Sequence, residues 1–274
     1  MSQIHVLVIN CGSSSVKFSI IDTRSGQALL SGLAERLLSD KANFKLNYLQ
    51  QNEQFPLKSP YDHQAAIDVL VQQLGKLELL DSLSAVGHRV VHGGEQFSKP
   101  TLITAEVKQT IKDLARLAPL HNPANLTGIK AAEKALGHLP QVAVFDTAFH
   151  QSMPQKAYLY GLPYALYQEH AIRRYGFHGS SHAYVATQAA QFIGKPLNQC
   201  NFISAHLGNG CSITAIRDGQ SIDSSMGFTP LEGVMMGSRS GDLDPGIIFH
   251  LIEHLGYSPA QVQQVLNKDS GLLG

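Results

Sequence analysis

Apolar, β-branched runs alternate along the chain with amphipathic stretches of helical period. Strand-like runs fall at residues 4–9, 16–22, 84–91, 141–145, 200–206 and 211–216. Helical periodicity falls at 63–77, at 105–118 after the capping residue Thr104, and at 181–193. Strands alternating with helices of ordinary length predict an α/β fold. Two strand pairs share one form. VLVINCGSSSVKFSI (6–20) and FISAHLGNGCSITAI (202–216) each set a small polar knot between apolar strands, with Gly12 and Gly208 at corresponding places. Two such units predict two related domains, each offering a phosphate-facing hairpin to a nucleotide lying between them. The boundary is expected near 148–152, giving domains of 1–150 and 151–274.

Composition narrows the class. Of the 274 residues, 43% are hydrophobic and 15% charged, which is a globular balance. Lys plus Arg equals Asp plus Glu at 21 each, so no basic surplus marks a nucleic-acid or acidic-membrane binder. Cys11, Cys200 and Cys211 form no C-x-x-C pair and fit small buried thiols of a reducing compartment. No run reaches transmembrane length and no basic leader precedes the first strand, so the expected location is the cytoplasm.

The knots and five further stretches carry candidate chemistry. In Asn10-Cys11-Gly12-Ser13-Ser14-Ser15, glycine permits a tight reversal, while amides, hydroxyls and the following Lys17 suit an anion. A serine-rich hairpin with no ligand is the competing account, and the Walker pattern is absent. In HRVVHGGEQF (88–97), Arg89 suits a carboxylate or a phosphoryl oxygen, or else an internal ion pair. In LAPLHNPANL (117–126), two prolines predict a rigid connection around His121 and Asn122, with Asn122 capping the next helix. In VAVFDTAFH (142–150), Asp146 ends an apolar strand, where a ligand contact and a helix cap are both open. In RRYGFHGSSH (173–182), His178 and His182 stand at i,i+4, but Gly179 is expected to break the helix between them and zinc is rejected. His182 then reads as structural. In MGFTPLEGVMMGSRSGDLDPGI (226–247), Arg239 in a Gly-Ser loop resembles a phosphoryl clamp. Asp242 and Asp244 leave a calcium loop as runner-up, without EF-hand spacing. Together these features point to phosphoryl transfer.

VINCGSSSVKF, HRVVHGGE, LAPLHNP, FDTAFH, YGFHGSSH, HLGNGCS and MGFTPLEGVMMGSRSGDLDPG also resemble, in order and along the whole chain, the acetate/propionate/butyrate kinase family. The resemblance implies an actin-like, ribonuclease H-like ATPase fold of duplicated domains. It implies transfer of the γ-phosphoryl of ATP to acetate, giving acetyl phosphate and ADP. By the same resemblance Asn10 lies near Mg²⁺ (Mn²⁺ as a substitute), with Ser13, Ser15 and Lys17 toward the ATP phosphates. Arg89 binds the carboxylate, with His121 nearby. Asp146 is the family's catalytic aspartate, and His178 and Arg239 steady the transferring phosphoryl. His206, Leu207, Gly208, Asn209 and Gly210 form a second nucleotide-phosphate loop. Val91, Leu120, Phe177 and Pro230 line the acyl pocket. The family is expected to form homodimers.

Family members continue beyond NKDSGLLG (267–274), so the second domain is expected to be incomplete here. Three alternatives stay open: a propionate kinase of the same family, a catalytically inactive nucleotide-binding fragment, and a sugar or glycerol kinase. In the last of these, Asp146 would be a true base for a hydroxyl.

Overall fold

Burial alternates along the first strand, β1 (His5–Gly12): His5, Leu7, Ile9 and Cys11 are buried, while Val8 is exposed. That period of two fixes which face of the sheet meets the core. In the computed structural model, which describes residues 4–274, the chain divides into two compact units. One takes the residues up to Gly93 with Lys99–Phe145, the other Gly94–Ser98 with Asp146–Gly274.

In the first unit, β1 continues as an antiparallel meander through β2 (Ser15–Asp22), β3 (Ala28–Glu35), β4 (Asn43–Tyr48) and β5 (Gln51–Pro56). Then follow α1 (His63–Lys76), β6 (Leu83–Val90), β7 (Thr101–Leu102), α2 (Ala105–Asp113), α3 (Asn122–Leu136) and β8 (Gln141–Phe145). The eight strands lie in the order β5-β4-β3-β2-β1-β6-β8-β7, with β1, β6 and β8 parallel. Helices α1 and α3 pack on each other, and α3 on β1. Ile67, Leu70, Leu74, Ala132 and Leu136 share one core with Leu7, Ile9, Ile20 and Phe44.

The second unit holds α4 (Gln155–Tyr158), α5 (Tyr164–His170), α6 (Gly179–Phe192), β9 (Phe202–Leu207), β10 (Cys211–Arg217), β11 (Gln220–Ser224), α7 (Pro245–Glu253) and α8 (Pro259–Lys268). Its antiparallel sheet runs β11-β10-β9, the same local order as β3-β2-β1. Both polar knots therefore close hairpins of like form. The burial pattern of this sheet is inverted. Ser204, Ser212, Thr214, Ser221 and Ser224 are buried, while Ile203 and Leu207 are 74% and 75% exposed.

Two local expectations need correction. Residues 117–126 are not a rigid connection throughout, because α3 begins at Asn122, with Pro123 in its first turn. Proline is tolerated there, since the N–H it lacks would have no helical acceptor. His121, not Asn122, holds the cap position, and Asn122 spends its side chain elsewhere. Gly179 does not break a helix but opens α6. His178 precedes it in the left-handed region, at φ 58°.

Candidate active site

In the first unit the hairpin is held from three sides. His63 Nε2 lies 2.8 Å from the Gly12 carbonyl, Asn125 Nδ2 donates to the Cys11 carbonyl at 2.7 Å, and the Leu37 amide donates to the Ser14 carbonyl at 3.0 Å. The turn residues Ser13 and Ser14 remain exposed and Ser15 half-buried. Among the described residues none of this turn takes a positive φ, so Gly12 is not there for a left-handed reversal. It serves close approach: a Cβ on Gly12 would lie 3.1 Å from Ser15 Oγ. The hairpin register pairs Asn10 with Lys17, and the parallel register pairs Asn10 with Arg89. Lys17, Asn10 and Arg89 thus form a row across β2, β1 and β6. Directly paired residues project from the same face, about 5 Å apart.

The segment after β6 is fixed by two asparagines of α3. Asn125 Oδ1 accepts from the Val91 amide at 3.0 Å. Asn122 Oδ1 accepts from the His92 amide at 3.1 Å, and its Nδ2 donates to the His92 carbonyl at 3.0 Å. Val91 is buried, His121 half-buried, and Leu120 exposed at 66%. Burial pushes the His92 imidazole down to about 4, so it is neutral at neutral pH.

In the second unit Asp146, only 2% exposed, accepts at its backbone carbonyl from the Gly179 amide at 2.8 Å. Glycine is needed at 179: a Cβ there would fall 2.3 Å from that carbonyl oxygen. Buried His150 braces the segment carrying Phe177 and His178. Its Nε2 donates to the Phe177 carbonyl at 2.9 Å, which leaves Nδ1 to accept from Ser221 Oγ at 2.9 Å. Burial lowers the His150 pKa to about 4, and the bond to Phe177 opposes that only in part.

His178 stacks on His206 with ring centroids 4.0 Å apart. His206 Nδ1 lies 2.9 Å from Ser181 Oγ. The Gly208 amide donates to the Gly210 carbonyl at 3.2 Å, and the Gly237 amide to the Asn209 carbonyl at 3.0 Å, folding residues 206–210 into a tight loop. At its tip Arg239 and His178 approach the same glycine. A Cβ on Gly210 would stand 3.2 Å from Arg239 Nη1 and 3.5 Å from His178 Nε2. Arg239 Nη1 also donates to the Pro230 carbonyl at 2.9 Å, so one guanidinium joins the loop to an expected acyl-pocket residue. Asp242 Oδ1 accepts from the Gly233 amide at 2.7 Å, and Asp244 Oδ1 caps α7 by accepting from the Gly246 amide at 2.8 Å. Among the described residues no group of three His, Cys, Asp or Glu could hold a metal ion.

The sequence-derived residues fall into two clusters: Asn10, Ser13, Ser15, Lys17, Arg89, Val91, Leu120 and His121 in one unit, and Asp146, Phe177, His178, His206–Gly210, Pro230 and Arg239 in the other. Asn125, His150 and Ser212 went unseen. Asn125 left one signal, an amide among the apolar positions of NPANLTG.

Residues 5–274 match the model of the acetokinase family. The chain is 55% identical over 271 residues to acetate kinase 1 of Vibrio cholerae, covering 98% of this chain and 68% of that protein. It is 54% identical over 276 residues to an acetate kinase of Shewanella frigidimarina, covering 100% and 69%. Among solved structures, a propionate kinase from Francisella tularensis superposes with a TM-score of 0.95 at 47% identity, covering 100% and 70%. The acetate kinase of Porphyromonas gingivalis gives a TM-score of 0.93 at 44% identity, covering 100% and 69%. The fold is the actin-like ATPase fold of these kinases, and the chain belongs to the acetokinase family.

Proposed function

We propose that the two clusters carry out phosphoryl transfer from ATP to acetate, giving acetyl phosphate and ADP. Acetate kinase activity is the function that the family and its relatives support for this chain. The observation that carries the residue assignment is the convergence of His178 and Arg239 on Gly210, within a tight glycine loop.

The nucleophile is a carboxylate, ionised at neutral pH, so the reaction needs no strong base. Its difficulty is electrostatic: two anions must meet while negative charge moves toward the leaving ADP. Arg89 takes the acetate carboxylate in the bidentate geometry that a guanidinium offers. Ser13, Ser15 and Lys17 receive nucleotide phosphate, as do the amides of His206–Gly210. Arg239 and His178 donate to the transferring phosphoryl, where fixed donors lower the barrier most. Asp146 orients the cations of the site and takes no proton. Val91, Leu120, Phe177 and Pro230 receive the methyl group, with His121 beside them.

Without an acidic cluster among the described residues, the chain supplies no cage for a resident metal. A Mg²⁺ ion fits as part of the nucleotide substrate, with Asn10 giving one amide oxygen and phosphates and water the rest. Mn²⁺ would substitute. The ion supplies charge neutralisation on the phosphates. The same reading takes the protein to be a cytoplasmic homodimer. No described helix is long and apolar enough to cross a membrane.

Propionate is the second acyl substrate, a reading favoured by the propionate kinase from Francisella tularensis among the relatives. The test is trapping of acyl phosphate with hydroxylamine after incubation of the full chain with ATP, Mg²⁺ and acetate. Hydroxamate that requires both acetate and ATP is expected. Phosphorylation of glycerol or a sugar, with none of acetate, would overturn the proposal.

A further inference from the structure

Four side chains of the second unit form an unbroken line. Ser204 Oγ lies 2.9 Å from His182 Nδ1, His182 Nε2 lies 2.8 Å from Ser212 Oγ, and Ser212 Oγ lies 2.8 Å from His178 Nδ1. Ser204, His182 and Ser212 are 6%, 0% and 0% exposed. Each hydroxyl has one proton to give, and a neutral imidazole has one N–H and one acceptor nitrogen. The buried Ser204 hydroxyl bonds only to His182 Nδ1 among the described residues, so donating there is the arrangement that gives its proton an acceptor.

Everything further along the line follows. His182 accepts at Nδ1 and, being neutral, carries its proton on Nε2. Burial, with His150 and His206 nearby, lowers the pKa of His182 to about 4, so the neutral form prevails at neutral pH. His182 Nε2–H donates to Ser212 Oγ. The Ser212 proton then has one place to go, His178 Nδ1. His178 is left with its N–H on Nε2, the nitrogen that stands beside Gly210 and Arg239 Nη1.

We infer that Ser204, His182 and Ser212 are positioning residues that lock His178 in the Nε2–H tautomer, so that it meets the phosphoryl group as a neutral hydrogen-bond donor. The reverse tautomer would present a lone pair to an anion and strand the Ser204 proton. The stack of His178 on His206 fixes the ring plane, and the serine line fixes which nitrogen donates. This rests on the reading of His178 as a phosphoryl-facing group.

The test is nitrogen NMR of the imidazoles at pH 7.5, in the full chain and in Ser212→Ala and Ser212→Thr. Both His178 and His182 are expected to show a protonated Nε2 and an unprotonated Nδ1. Ser212→Ala should give a mixture of tautomers at His178. It should also lower kcat about tenfold while leaving the nucleotide KM unchanged. Ser212→Thr, which keeps the hydroxyl, should restore the single tautomer. A wild-type His178 protonated on Nδ1 overturns the inference, as does an unchanged tautomer in Ser212→Ala. Because the tautomer is read without turnover, its failure is separable from that of the parent reading, which falls if His178→Ala leaves kcat unchanged.

Discussion

Asn10 and Arg89 stand directly opposite each other on neighbouring parallel strands, and Lys17 stands opposite Asn10 on the other side. Backbone register alone thus places an amide between two cations on one face of the sheet. Arg89→Ala removes the guanidinium without disturbing that register. Loss of a charge-assisted contact worth roughly 1.5–3 kcal/mol should raise the acetate KM by ten- to a hundredfold. The nucleotide KM should hardly move. Steady-state kinetics of acetyl phosphate formation checks this, and an acetate KM that stays put would remove Arg89 from carboxylate binding.

Val91 is buried, and its amide is held by Asn125, so its side chain has little freedom to withdraw. Val91→Ala should make room for one more carbon. A methylene in an apolar pocket is worth about 1–3 kcal/mol, so kcat/KM for propionate relative to acetate should rise about tenfold. Competition between the two acids at fixed ATP reads the ratio directly. An unchanged ratio would place Val91 outside the acyl pocket.

Helix α3 approaches β1 closely at Gly128, where a Cβ would meet Cys11 Sγ at 2.5 Å. Gly128→Ala should therefore destabilise the chain by about 1–3 kcal/mol through overpacking. Gly75, in the last turn of α1, has nothing within 4 Å of a built Cβ and no positive φ. Gly75→Ala should stabilise by about 0.4–1 kcal/mol by restricting the unfolded chain. Urea midpoints moving in opposite directions are the expected result.

Buried neutral imidazoles make stability depend on pH. His92, His150 and His182 each have folded pKa values lowered to about 4 from 6.5, with burial the largest cause. A base whose pKa is depressed on folding binds its proton more tightly when unfolded. Stability is thus fully present above about pH 6.5 and declines as pH falls toward 4. For His150 alone the loss is on the order of 3 kcal/mol. Urea unfolding between pH 7.5 and 4.5 should show a falling midpoint. A flat profile would mean that these rings are charged or exposed in the fold.

Much of this architecture is legible in the residue pattern. The alternating runs around Gly12 and Gly208 foretell two hairpins, and β1, β2, β9 and β10 follow them within a few residues. The start of helix α3 was obscured because Pro119 and Pro123 read as bounding a rigid connection, although Pro123 sits in the first turn, where no backbone N–H is required. The polar interior of β9–β11 was hidden for a different reason. Alternation shows that a strand has two faces but not which one is buried, and SITAI (212–216) does not say whether Ser212 and Thr214 face inward. Only the fold shows that both turn inward, Ser212 to His178 and His182 and Thr214 to Ser224. His178 and Arg239 were singled out from loop chemistry, whereas the bond of Ser212 to His178 joins a strand to a residue 34 positions earlier, which no local pattern shows.

The most direct measurement is ATP formation from acetyl phosphate and Mg-ADP by the full chain, beside Arg239→Ala. The convergence of Arg239 and His178 on Gly210 predicts turnover in the parent chain and a fall of at least about 10²–10³-fold in the variant. Turnover that survives Arg239→Ala would contradict the phosphoryl clamp. A folded parent chain that makes no ATP would contradict the catalytic account and leave a nucleotide-binding fragment in its place.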